Sequence, residues 1–236
     1  MKQLHPLQLK ILRELLFNES LRYLQLKPDE VLENSKFDFH LKKMIEVGYV
    51  ENIGREYQLT NSGKEYANTM DTDQVRIMKQ GKITVLHIGY RYVDQELEVL
   101  MYTRLKEPFY GCQGFPAGKV RYGELVEEAA SREFQEETGY IGKAEKFAIG
   151  HYVNLEKVSD RVIEDKYMFF CRIKDPSGSL VGSEEGKYEW VPQSKLKDYL
   201  KRPFESYDEV IKVIKLLKKF DGGIVMIESR DYPEHF

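Results

Sequence analysis

The chain has 236 residues, enough for one large domain or two small ones. Hydrophobic residues make up 42% and charged residues 32%, which excludes disordered, collagen-like and membrane-embedded classes. Lys plus Arg is 36 against 39 Asp plus Glu, a net charge of −3, so a protein-wide basic field for nucleic acid is absent. The two cysteines, Cys112 and Cys171, are far apart, without metal-ligand spacing or a disulfide framework. Charges run through Met1 to Glu14, where a signal peptide would need an apolar run. No stretch approaches the roughly 18 uninterrupted apolar residues of a membrane span. A soluble, cytoplasmic chain is therefore expected.

In chain order, Leu7, Leu9, Ile11, Leu12, Leu15 and Leu16 recur at helix spacing, and Asn18-Glu19-Ser20 ends the run. A short helix is predicted over Leu21–Leu26, stopped by Lys27-Pro28. A third begins at Asn34-Ser35 as N-cap, places Phe37, Leu41, Met44 and Ile45 on one face, and stops at Gly48. Tyr49–Ile53 and Glu56–Thr60 read as a hairpin about Gly54-Arg55, and Asn61-Ser62-Gly63 opens a last short helix. Three helices and a hairpin resemble the winged helix-turn-helix plan, with Phe39–Val50 as recognition helix and Tyr57–Gly63 following it as wing. The resemblance covers residues 1–70 and implies DNA contact through Lys36, His40, Lys42, Lys43 and the wing residue Arg55. Against this, residues 1–70 carry ten basic and ten acidic side chains, a poor balance for affinity built on counterion release. Protein–protein contact or dimerisation is the other reading of this module.

Residues 71–82 read as a linker, and 83–236 as a second domain of strand-like period. Ile83–Ile88 and Leu97–Tyr102 are predicted strands across a turn at Asp94-Gln95. A long helix is expected over Glu124–Thr138, then strands over Phe147–Leu155, Lys166–Ile173 and Tyr188–Val191. Helices over Ser194–Leu200 and Tyr207–Phe220 follow, with an edge strand within Gly222–Ile227. Mixed strands enclosing helices give an α/β sandwich.

The chemistry concentrates in one segment. Glu133, Glu136 and Glu137 stand at i, i+3 and i+4 of the long helix, so their carboxylates share a face. Three like charges so close repel unless cations lie between them, and hard oxygen ligands suit Mg²⁺ or Mn²⁺. Alone, they would also fit a solvated acidic face. The surroundings decide the matter. Gly118, five residues, Glu124, seven residues, then Arg132-Glu133-Phe134-Gln135-Glu136-Glu137-Thr138-Gly139-Tyr140 resembles the Nudix signature at every specified position.

That resemblance implies a Nudix α/β/α sandwich with a mixed sheet, and hydrolysis of a phosphoanhydride bond. The substrate class would be a nucleoside diphosphate linked to another moiety, or a nucleoside triphosphate. It implies Glu133, Glu136 and Glu137 as metal ligands with the backbone carbonyl of Ala117, and Glu136 or Glu137 in a further role toward the attacking water. Ala117 stands where the family more often has Gly. Arg132 would hold a glutamate of the box by an ion pair, and Glu124 would tie loop to helix. Leu125 occupies a slot where many members carry a capping hydroxyl. The loop Gly182–Trp190 resembles one that supplies a further glutamate, with Glu185 the better fit and Glu184 beside it; a solvated loop is the alternative. Arg104, Tyr110 and Phe115 are candidates to line a pocket for base or phosphate, or else packing aromatics and a surface cation. His87 and His151 read as ordinary strand residues, and the lysines of Tyr207–Phe220 as a solvated face. The competing class is a transcription regulator whose Nudix domain senses a nucleotide metabolite; known regulators with the two modules usually have the opposite domain order. The resemblance also implies a homodimer as a partner arrangement, since dimers are common in the family.

Overall fold

The computed structural model describes residues 4–28, 32–107 and 109–232, residue 231 by its backbone alone. The chain divides into two compact units, Met1–Gln80 and Gly81–Phe236.

In the first unit, helix α1 (Pro6–Leu16) opens with Pro6 in its first turn and the His5 ring accepting from the Leu7 amide at 3.1 Å. Strand β1 (Leu21–Arg22) and helix α2 (Tyr23–Leu26) divide the segment expected as one helix. Leu21 and Arg22 are drawn into pairing with Tyr57 and Glu56. Helix α3 (Asn34–Glu46) follows. The expected Asn34-Ser35 cap is not used: Glu33 occupies the cap position, and the Asn34 side chain accepts from Lys27 Nζ at 2.9 Å. Strands β2 (Val50–Ile53) and β3 (Glu56–Leu59) form the hairpin, with Gly54 at φ 68°. Helix α4 (Asn61–Ala67) is capped by Thr60, whose hydroxyl accepts from the Gly63 amide at 3.0 Å. A small hairpin of β4 (Met70–Asp71) and β5 (Arg76–Ile77) lies in the stretch read as the start of a linker.

Leu7, Ile11, Leu12 and Leu15 of α1 pack with Phe37, Leu41 and Met44 of α3, Val50 and Leu59 into one core. Ile45, expected inside, is exposed; the inner face of α3 takes His40 instead. That ring stacks on His5 at 4.2 Å, and burial lowers its pKa. His40 is thus a core residue and not the phosphate contact anticipated for it. Lys36, Lys42, Lys43 and Arg55 are exposed.

The second unit is built on strands β6 (Lys82–Val93), β7 (Glu96–Arg104), β8 (Gln113–Gly114), β9 (Ala117–Lys119), then helix α5 (Val126–Thr138). Strands β10 (Tyr140–Ile141), β11 (Ala144–Leu155), β12 (Val162–Lys174), β13 (Ser177–Gly178) and β14 (Gly186–Pro192) follow. Helices α6 (Leu196–Tyr199) and α7 (Tyr207–Lys218) and strand β15 (Val225–Asp231) complete it. The main sheet runs β14-β7-β6-β12-β11-β15, with β8 on β7 and β9 on β6. It is mixed: β12 pairs β6 and β15 pairs β11 in parallel, whereas the β6–β7, β7–β14 and β11–β12 pairs are antiparallel. Asp94 and Gln95 both take positive φ, 48° and 68°, in the tight turn between β6 and β7.

Strand alternation sorts β6 onto two layers. Leu86, Ile88 and Tyr90 join Phe170 and α7 residues Val210, Ile214 and Leu217 on one face. Val85 joins Ala129, Ala130 and Phe134 of α5 on the other. The sheet is thereby covered on both faces, an α/β/α sandwich. The fully buried Phe134 ring lies over Gly89, where a Cβ would come within 2.8 Å of it, so this glycine admits the helix to the sheet. Among the described residues no helix is long and apolar enough to cross a membrane.

Candidate active site

The acidic helix begins two residues later than its sequence pattern implied. Glu124 lies before α5, folded back so that its Oε2 accepts from the Arg121 amide at 3.0 Å. Leu125 fills the cap position without a capping side chain, and the Leu125 amide donates to the Glu128 carboxylate at 3.3 Å. At the other end Gly139, at φ 75°, stops the helix in the left-handed conformation.

Arg132 organises the segment. Its Nε and Nη2 donate to the two oxygens of Glu124 at 2.7 and 2.8 Å, a bidentate pair, and Nη2 also donates to the Lys119 carbonyl at 3.1 Å. Its Nη1 donates to Glu133 Oε1 at 2.8 Å and Glu136 Oε2 at 3.0 Å. One guanidinium therefore ties β9, the box loop and two helix carboxylates together. The hydrogen bonds from Arg132, helped by that from the Arg121 backbone, outweigh burial and hold the Glu124 carboxyl down at about 2. The same bonds raise the Arg132 pKa above its ordinary value.

The three acidic residues differ in setting. Glu133 is largely covered, with its side chain 16% exposed, and its carboxyl lies against Gly118 of β9. A Cβ at Gly118 would meet Glu133 Cγ and Cδ at 2.3 Å, so the glycine makes the space that the carboxylate fills. Glu136 is 50% exposed and also takes Arg121 Nη2 at 3.2 Å. Glu137 is 17% exposed and faces inward to the sheet. Its Oε2 accepts from the Tyr188 hydroxyl at 3.0 Å and lies 3.3 Å from His87 Nε2. That His87 contact is at ion-pair distance but lacks hydrogen-bond geometry, and neither ring nitrogen of this fully buried histidine has a hydrogen-bond partner. Among the described residues no three His, Cys, Asp or Glu side chains converge in a metal-binding cluster, and guanidinium groups hold Glu133 and Glu136.

Ala117 adjoins Gly118, against which Glu133 sits, and the other sequence candidates have contacts of their own. Ala117 is exposed in β9, paired with Leu86. The Glu185 carboxylate is taken by Lys106, while its carbonyl accepts from the Leu105 amide and the Tyr102 hydroxyl. Arg104 donates to the carbonyls of Lys106 and Glu107, and Tyr110 is half exposed in the same loop. Phe115 instead lines a cavity of about 230 Å³ with Leu86, Tyr152, Phe170, Glu205 and Val210. That cavity is on the α7 side of the sheet, away from the face that carries the three glutamates. Arg104 and Tyr110 do not line it. Sequence reasoning missed Tyr188 and Arg121, and read His87 as an ordinary strand residue. Arg121 lies inside the box at an unspecified position. Tyr188 and His87 carry no local signal, because a strand register brings them to Glu137.

A glutamate-bearing helix clamped by an arginine against a glycine strand, on a mixed sheet between helices, is the arrangement of a Nudix fold. A family model described as the NUDIX domain matches residues 85–212, and the chain belongs to that family. It is 34% identical over 103 residues to an ADP-ribose pyrophosphatase of Methanocaldococcus jannaschii, covering 42% of this chain and 58% of that protein. It is 26% identical over 140 residues to a putative 8-oxo-dGTP diphosphatase of Bacillus subtilis, covering 58% of this chain and 88% of that one. The fold is similar to the NUDIX domain of Shewanella oneidensis NrtR complexed with ADP ribose, with a TM-score of 0.50 and 19% identity over 68% of this chain and 98% of that one. It is also similar to a MutT protein of Bacillus halodurans, with a TM-score of 0.51 and 22% identity over 66% of this chain and 93% of that one.

Proposed function

We propose that the chain is a divalent-metal-dependent pyrophosphohydrolase that acts on a nucleoside diphosphate linked to another moiety, with ADP-ribose the first compound to test. The observation that carries this reading is the set of three carboxylates on one face of α5, with Glu133 seated in the space left by Gly118. The archaeal relative, named an ADP-ribose pyrophosphatase, favours this substrate class, whereas the Bacillus subtilis relative is named for 8-oxo-dGTP, a nucleoside triphosphate.

The donor set fits Mg²⁺ or Mn²⁺, because all its members are hard oxygens and two already hold cationic guanidinium groups. Glu133, Glu136, Glu137 and the Ala117 carbonyl would hold the ion. When bound, it would draw charge from the phosphate oxygens and make water more acidic. Arg132 keeps Glu133 and Glu136 in register with the box loop, and Glu124 keeps Arg132 in place. In the net reaction one P–O bond forms from water as the bridging P–O bond breaks, and Glu136 or Glu137 accepts the water's proton.

The test is hydrolysis of ADP-ribose, nucleotide sugars, nucleoside triphosphates and dinucleoside polyphosphates with and without Mg²⁺, for wild type, Glu136→Gln and Glu137→Gln. Turnover of one class that needs metal and disappears in the variants is the expected result. Tight nucleotide binding without turnover would overturn it.

A second reading rests on the first unit, whose three helices and hairpin leave Lys36, Lys42, Lys43 and Arg55 exposed. As a winged helix it would place α3 in the DNA major groove, with the second unit sensing nucleotide. A gel shift with promoter DNA, with and without ADP-ribose, tests this; no salt-sensitive, sequence-selective complex would sink it.

A further inference from the structure

The face of α5 that meets the sheet holds polar groups that the proposed reaction does not yet employ. Tyr188, on β14, is 5% exposed, and its hydroxyl reaches Glu137 Oε2 at 3.0 Å. Its ring is fixed from the next strand, where Tyr102 lies directly across in the register at a centroid distance of 5.2 Å. Tyr102 is in turn held by its bond to the Glu185 carbonyl and stacks on Phe204.

His87 approaches the same oxygen from β6. It is wholly buried, edge-on to Phe134, with Nε2 at 3.3 Å from Glu137 Oε2 and both ring nitrogens otherwise unpartnered. An orphaned polar pair inside a core is costly, and an apolar residue would avoid that cost. In the tautomer with its proton on Nε2, a small turn of Glu137 would complete a second bond to Oε2. Both groups address one oxygen, and Glu137 Oε1 takes neither contact.

We propose that Tyr188 and His87 are positioning residues that anchor Glu137 by Oε2 and thereby present Oε1 to the divalent cation. The inference rests on the reading of Glu137 as a metal ligand. Outer groups that orient a ligand typically alter metal affinity or activity by about 10–100-fold when lost.

The experiment is titration of the full-length protein with Mn²⁺, following free ion by electron paramagnetic resonance, beside kcat and KM for ADP-ribose. Variants are Tyr188→Phe, His87→Leu, His87→Gln and Glu137→Gln, each checked for native circular dichroism. Tyr188→Phe and His87→Leu are expected to weaken Mn²⁺ binding about tenfold or more and to lower kcat, with KM within about twofold. His87→Gln, whose side-chain amide donates near the Nε2 position, should recover most of the affinity. If Glu137→Gln weakens Mn²⁺ binding but folded Tyr188→Phe and His87→Leu bind as wild type, the positioning inference fails alone. If Glu137→Gln itself binds Mn²⁺ as wild type, the metal-ligand reading and the inference fall together.

Discussion

Gly118→Ala is the substitution by which the site can be tested most sharply. An added Cβ would lie 2.3 Å from Glu133 Cγ and Cδ and 2.5 Å from its Oε2, whereas ordinary contact begins at 3.4 Å. The carboxyl must therefore retreat by about 1 Å, taking with it the oxygen that Arg132 holds at 2.8 Å. Misplacing a catalytic group by about 1 Å can cost on the order of 100-fold in rate, equivalent to about 2.7 kcal/mol of transition-state stabilisation. Overpacking of this kind costs about 1–3 kcal/mol of stability, or roughly 2–12 °C in Tm for a domain of this size. The assay is kcat/KM for ADP-ribose in Mg²⁺, with Mn²⁺ binding and thermal denaturation alongside. The variant should be folded at 25 °C, bind Mn²⁺ more weakly and lose about two orders of magnitude in turnover. A folded variant within about threefold of wild type in both readouts would show that Glu133 does not act from its seat against Gly118.

Other consequences are open to direct measurement. Because the folded-state pKa of Glu124 is held at about 2, below its unfolded value of roughly 4.3, the Arg132 pair stabilises fully above pH 5 and loses its contribution as pH falls toward about 2. Thermal melts from pH 6 to pH 3 should show that loss, and Glu124→Gln should be less stable at pH 6 with a flatter acid limb; equal slopes would contradict it. Arg121→Ala removes a cation that sits 3.2 Å from Glu136, so it should tighten Mn²⁺ binding by a fewfold; weaker binding would mean that Arg121 supports the site. Phe134→Ala empties a fully buried site over Gly89 and should cost about 3–5 kcal/mol, read as a lower urea midpoint with unchanged slope. The Cys171 thiol, pushed up to about 12 chiefly by burial, should react with a thiol reagent at pH 8 only as fast as the protein opens, and faster labelling would place it at the surface.

How much of this was readable in the chain depends on the range over which each cause acts. The acidic face of α5 follows from helical geometry over five residues, and the glycine stop at Gly139 from its left-handed backbone. The core helices of the first unit and the strand pair about Asp94-Gln95 follow from hydrophobic period and turn chemistry. Local rules mislead where a distant partner competes. Leu21 and Arg22 leave a helical pattern to pair with β3, Asn34 gives its side chain to Lys27 rather than to the helix end, and His40 displaces Ile45 from the inner face of α3.

By itself the sequence determined the family, the helix that bears the carboxylates and the arginine that ties them to the loop, because all of these lie within one segment of 23 residues, Gly118–Tyr140. Only the tertiary structure decided which carboxylate faces inward and what holds it. Tyr188 is 51 residues from Glu137 along the chain and His87 lies on a different strand. Their approach to one oxygen is set by the pairing of β14 with β7 and of β7 with β6, and by the packing of α5 on that sheet. Tertiary structure likewise separated Phe115 from Arg104 and Tyr110, because Phe115 packs into the core on the α7 side while Arg104 is held by the carbonyls of its own loop.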